Sequence, residues 1–113
     1  MDFAENGNRV VGAWETGGQV YWTDLAGGRI TEPISAPGEG KGRKHPRIAL
    51  NQKGEVLLAW TEGTGWQKGG SFAYQVYDPS GRLGAETDQL PGIPAWSFAG
   101  VFARPDNGFS IVY

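Results

Sequence analysis

The sequence predicts an all-β chain assembled from repeated units of four short antiparallel strands. Three observations carry that expectation. Apolar residues alternate with a period of two or gather in short β-branched runs, and no window of eleven residues shows a helical stripe. Nineteen glycines and seven prolines fall between those runs as turn punctuation, without a triplet period or low-complexity tract. Finally, one phrase recurs: Asn8-Arg-Val-Val-Gly-Ala-Trp14-Glu-Thr-Gly17 returns as Gly54-Glu-Val-Leu-Leu-Ala-Trp60-Thr-Glu-Gly63, and Asp106-Asn-Gly-Phe-Ser-Ile-Val-Tyr113 begins it again.

The elements follow from the turns, taken in order. The first strand of the first unit is poor, since Asp2-Phe-Ala-Glu is nearly all that remains of it. Asn6-Gly7 precedes a strand at Arg9 to Glu15, Gly17-Gly18 precedes Gln19 to Asp24, and Gly27-Gly28 precedes Arg29 to Ile34. In the second unit His45-Pro46 opens a strand at Arg47 to Leu50, and Gln52-Lys53-Gly54 turns it into Val56 to Glu62. Phe72 to Tyr77 follows Gly69-Gly70, and the turn Asp78-Pro-Ser-Gly81 leads into Arg82 to about Thr87. The third unit holds two strands, Ser97 to Ala103 and Phe109 to Tyr113.

Trp14 and Trp60 stand 46 residues apart, and a repeat of that length with four strands is the blade of a β-propeller. The chain then carries about two and a half blades: one over about 1–36, a second over about 45–92 and a half blade over about 96–113. A sandwich of two sheets is the rival architecture. Such a segment cannot close a ring, and each open end leaves an apolar sheet face wet. About 800 Å² per face at roughly 25 cal/mol per Å² is worth about 20 kcal/mol, against about 4 to 15 kcal/mol for association. The expectation is therefore a homo-oligomer, two copies supplying five blades of strands, or a piece of a longer propeller chain.

Composition excludes several partner classes. Ten Lys and Arg against twelve Asp and Glu give a formal charge of -2, which provides no footprint for a nucleic-acid backbone or an anionic membrane. The cluster Lys41-Gly-Arg43-Lys44 is the one basic run and reads as a solvated loop. No stretch of 18 apolar residues is present, so no membrane insertion is expected. Cysteine is absent, which removes disulfides and thiolate metal sites and leaves the compartment open. The start at Met1 shows no signal peptide.

The phrase from His45 to Gly63 resembles the first two strands of blades in the sialidase-like propeller superfamily, and the C-terminal propeller regions of large exported bacterial proteins. In that superfamily an Asp-containing turn joins the third and fourth strands. Thr23-Asp24-Leu-Ala-Gly-Gly28 and Tyr77-Asp78-Pro-Ser-Gly81 stand in that place as degraded forms of the Asp-box, Ser-x-Asp-x-Gly-x-Thr-Trp, and neither has the Thr-Trp ending. The resemblance implies a propeller fold and an exported, periplasmic or extracellular, protein. Tyr21-Trp22-Thr23-Asp24 also resembles the tetrapeptide of the six-bladed propellers in lipoprotein-receptor ectodomains. That family repeats the motif, and the second unit here reads Tyr74-Gln-Val-Tyr-Asp78.

Antiparallel strands reverse at every turn, so the loops after the second and fourth strands of each unit share one rim. That rim is the default ligand site. It gathers Glu15, Glu62, Trp66, Gln67 and Lys68 from loops after second strands, and Arg43, His45 and Arg47 from beside the loop that begins the second unit. An indole at Trp66 stacks on a sugar face while Glu62, Gln67 and Lys68 bind hydroxyls, so the expected ligand is a carbohydrate or a protein. Trp14 and Trp60 end equivalent strands and read as packing residues. A lone His45 before a proline reads as a loop or packing residue, and no cofactor or metal is expected. A carboxylate pair for glycoside hydrolysis needs two groups about 5 to 9.5 Å apart, and Glu15 and Glu62, in adjacent units, are expected to lie farther apart. No catalytic residue is assigned. The enzyme alternative is a sialidase-like glycoside hydrolase to which this chain contributes part of a site, and the structural alternative is a propeller segment with no ligand.

Overall fold

The computed structural model describes residues 1–28, 30, 32–38, 42–63, 70–93 and 100–112. Among them are ten strands and no helix: β1 (Asp2–Asn6), β2 (Arg9–Thr16), β3 (Gln19–Ala26), β4 (Ile34–Ser35), β5 (Arg43–Leu50), β6 (Val56–Glu62), β7 (Gly70–Tyr77), β8 (Leu83–Ile93), β9 (Gly100–Ala103) and β10 (Phe109–Val112). They form two four-stranded antiparallel sheets in chain order, β1-β2-β3-β4 and β5-β6-β7-β8, and a two-stranded hairpin, β9-β10. The repeat read in the sequence is thus a repeat of sheets.

Several strand limits differ from the sequence reading. The first strand is fully formed, paired with β2 from Asp2↔Ala13 to Asn6↔Arg9. Burial alternates along it, with Asp2, Ala4 and Asn6 turned inward: Ala4 packs on the core, and Asp2 and Asn6 bond to the backbone of Ile48 and Asn51. The fourth strand of the first sheet shrinks to Ile34–Ser35, paired with Trp22 and Tyr21; Arg29 and Thr31 lie outside the described residues. The expected strand at Arg47 to Leu50 begins at Arg43, and its ladder with β6 skips at Lys44/Arg47. Pro46 has no N–H to give a ladder, and β5 is the edge strand of its sheet, where a bulge costs least. His45 takes the left-handed φ of 53° that this bulge demands. β8 runs on to Ile93 rather than ending near Thr87, while 94–99 and Tyr113 are outside the described residues.

Sheet parity decides the core. On β2 the odd positions Val11 and Ala13 face the second sheet, joined by Val20 and Trp22 from β3 and by Ala36. On β6 it is the even positions Val56, Leu58 and Trp60 that face the first sheet, joined by Ile48, Leu50, Ala73 and Tyr77. Trp22 and Tyr77 meet at 5.1 Å between centroids with planes tilted by 59°, a favourable edge-to-face contact across the seam. The odd positions of β6, Leu57 and Ala59, point the other way with Phe72 and Val76 and pack against Val101, Phe109 and Ile111 of the hairpin. First sheet, second sheet and hairpin are therefore stacked face on face, with the second sheet covered on both sides.

Candidate functional site

The rim singled out in the sequence is built at the ends of β2, β5 and β6. Arg43 opens β5 and is 3% exposed. Its Nε donates to Glu62 Oε1 at 2.9 Å, Nη1 to Gln19 Oε1 and to the carbonyl of Ala36, both at 3.0 Å, and Nη2 to the carbonyl of Pro37 at 2.6 Å. The guanidinium carbon also lies 5.2 Å from the Trp60 ring centroid, a cation–π contact in a desolvated place. Glu62 Oε1 accepts a second bond from Trp60 Nε1 at 2.8 Å. Arg43 and Glu62 thus clamp the first sheet to the second.

Glu15 is exposed and caps its own turn, its Oε1 accepting from the Gly18 N–H at 3.0 Å. The backbone runs close here as well: Arg43 N–H donates to Gly18 carbonyl at 2.9 Å, and Gly63 N–H to Gly42 carbonyl at 3.2 Å. His45 is half-buried in the bulge. Burial holds its pKa below the ordinary value, the Arg47 and Lys44 cations push it the same way, and Glu15 opposes them. The imidazole is therefore neutral at pH 7. Arg47 donates from Nη1 to the Pro46 carbonyl at 3.3 Å. Trp66, Gln67 and Lys68 lie outside the described residues. Trp60 is buried in the inter-sheet core, whereas its repeat partner Trp14 is half-buried on the outward face of the first sheet, stacked on Tyr21 at 5.9 Å.

The opposite rim holds a second set of straps. Asn6 Nδ2 donates to the Asn51 carbonyl at 2.6 Å, and Asn51 Nδ2 to the Asn107 carbonyl at 2.9 Å, so each unit reaches the equivalent turn of the next. Asn51 is buried and also ties its own turn, donating to Glu55 Oε1 and accepting from the Glu55 N–H, both at 2.9 Å. Arg9 adds a parallel strap, with Nε to Asp24 Oδ1 and Nη1 to the Gly54 carbonyl, both at 2.8 Å. Gly54 and Asn107 occupy the same turn position, with φ of 83° and 66°, a backbone state open to glycine and tolerated by asparagine. The signal for these straps was legible: Asn6 and Asn51 stand 45 apart, nearly one repeat.

The Asp-containing turn behaves as its residue types require. Asp78 Oδ1 accepts from Ser80 N–H at 2.9 Å, Ser80 Oγ at 2.7 Å and Arg82 N–H at 3.0 Å, and these bonds, the Ser80 side chain foremost, lower its pKa. In the first sheet Asp24 Oδ2 accepts from the Ile30 N–H at 2.9 Å. A recess of about 300 Å³ lies between the second sheet and the hairpin on this rim, with Glu55, Asp78 and Asn107 in its lining. Among the described residues no group of three or more His, Cys, Asp or Glu side chains is placed to hold a metal ion, and no helix is long and apolar enough to cross a membrane. Comparison with protein-family models, with curated proteins and with solved structures finds no match for this chain.

Proposed function

We propose that this chain is a non-catalytic β-propeller segment, a scaffolding and binding module that joins further repeats of its own kind and presents a carbohydrate or protein ligand on one rim. One observation carries the reading. The charged rim residues that an active site would need are spent on holding sheets together: Arg43 has four of its five N–H groups engaged, and Glu62 receives Arg43 and Trp60. The Glu62 oxygen that accepts from both a guanidinium and an indole N–H is occupied as a structural acceptor. The four-strand units stacked face on face, with a third layer beyond them and asparagine straps that recur from unit to unit on one rim, suit a propeller segment better than a two-sheet sandwich, which has no place for a third layer.

Ligand contact in this reading belongs to the loop carrying Trp66, Gln67 and Lys68, chosen on the residue types alone. Two measurements test it. A panel of fluorogenic glycosides is expected to show no turnover, and hydrolysis that disappears in Glu62→Gln would replace this reading with the sialidase-like one. Binding to an immobilised glycan library is expected to weaken at least tenfold in Trp66→Ala; binding unchanged by that substitution removes the loop from the site.

A further inference from the structure

Among the described residues, the repeat arithmetic identifies two faces without the partner that their equivalents possess. An offset of 46 sets Val10, Gly12 and Trp14 of β2 against Val56, Leu58 and Trp60 of β6. In the second sheet that face is buried against the first sheet. In the first sheet it points outward, where Leu25 and Phe3 meet over Gly12: a Cβ there would lie 2.8 Å from Leu25 Cδ1 and 3.5 Å from Phe3 Cδ1. Leu25 is 50% and Phe3 57% exposed. The hairpin shows the converse. Its pairing puts Val101 and Ile111 on one side, against the second sheet, and Phe102 and Ser110 on the other. Phe102 and Val112 on that outward side are 57% and 62% exposed; by register Phe102 corresponds to Ala49 and Val112 to Ala59, residues that in the second sheet lie on the face covered by the hairpin.

We propose that the outward face of the β1–β4 sheet receives the outward face of the β9–β10 hairpin from a second copy of this chain, head to tail. The contact repeats one the molecule already makes twice: the even face of a second strand seated on the odd face of the preceding unit. That continuity identifies the occupant, because the face left open on the first sheet is the kind that sits on the face left open on the hairpin. The shapes agree. A recess of about 270 Å³ lined by Phe3, Ala4, Glu5 and Val10 lies on the receiving face, and Phe102 is the aromatic side chain standing out from the other. A polar latch has the same logic. Arg104 holds the turn position of Asn51, its N–H donating to Gly108 as that of Asn51 donates to Glu55, and supplies a donor where Asn51 reaches the next unit. Because the two faces differ, the contact is heterologous and builds rings or open chains rather than a self-complementary pair.

The proposal rests on reading the chain as an assembling propeller segment, and its test separates the two. Sedimentation of the 113-residue chain over a range of concentrations is compared with Leu25→Asp, which spoils the receiving face, and Phe102→Asp, which spoils the inserting one. Phe3→Ser and Val112→Asp serve as second variants on each face, with far-ultraviolet spectra reporting that the sheets persist. The chain is expected to associate, each single variant to require at least tenfold more protein to do so, and an equimolar mixture of the two to form a one-to-one complex and grow no further. Association untouched by either substitution, or lost in only one of the two, overturns the head-to-tail contact. A chain that stays monomeric and hydrolyses no glycoside overturns the contact and leaves the non-catalytic reading standing; an associating glycosidase does the reverse.

Discussion

Arg43 gathers four acceptors from three segments, and removing it takes a donor from each of them. Arg43→Met takes the guanidinium from Glu62 Oε1, which keeps its bond from the Trp60 indole N–H, and leaves Gln19 and two carbonyls each short of one donor, so urea unfolding should show a loss of about 3 kcal/mol. Arg43→Lys should recover only part of that, because an ammonium cannot reproduce a planar fork. Tyr77 gives a pH signature. Burial pushes its phenol from 10.0 up to about 12, so the unfolded chain releases this proton first. Stability is complete below pH 10 and falls as the pH rises towards 12, by on the order of 3 kcal/mol, and Tyr77→Phe should flatten that slope in alkaline denaturation. His45 acts in the opposite direction. Its pKa is depressed in the fold, so stability holds above 6.5 and declines as acidification protonates the unfolded chain preferentially; His45→Gln should remove that component between neutral pH and the carboxylate range.

Within each element, the turn asparagines matter through what they reach. Asn51 is buried and joins its own turn to Glu55 and to the hairpin, whereas Asn6 makes one bond to the next unit. Asn51→Ala should therefore cost about 2 to 3 kcal/mol and Asn6→Ala about 1 kcal/mol in thermal or urea unfolding. In the sequence Asn6 reads as part of a turn and Asn51 stands just before the turn Gln52-Lys53-Gly54; nothing local says that a side chain at one turn reaches the carbonyl of another unit. The limits of β5 were missed for a related reason. Pro46 signals a break, and the register of Arg43 with Glu62 across that break depends on the acceptors that the first sheet brings to the guanidinium.

At the scale of the whole molecule, stacking turns one repeated phrase into two environments. The even face of β6 is core and the same face of β2 is surface, although their sequences match, since burial depends on which unit stands in front. Trp60 and Trp14 make the point. Trp60→Ala should cost about 3 to 5 kcal/mol by opening the inter-sheet core, while Trp14→Ala should leave the unfolding free energy of the monomer nearly unchanged and show its effect in association.

The sequence by itself determined the all-β class, the four-strand unit, its period and nearly every turn, because alternation, glycine placement and the recurring Val-x-x-Ala-Trp phrase in its variants are local properties of the chain. Tertiary structure alone decided which face of each sheet is covered, and that Arg43, held by Glu62, reaches across to Gln19, Ala36 and Pro37. Those outcomes depend on atoms far away in the sequence: which carbonyls a buried guanidinium meets is set by the neighbouring sheet that removes it from water.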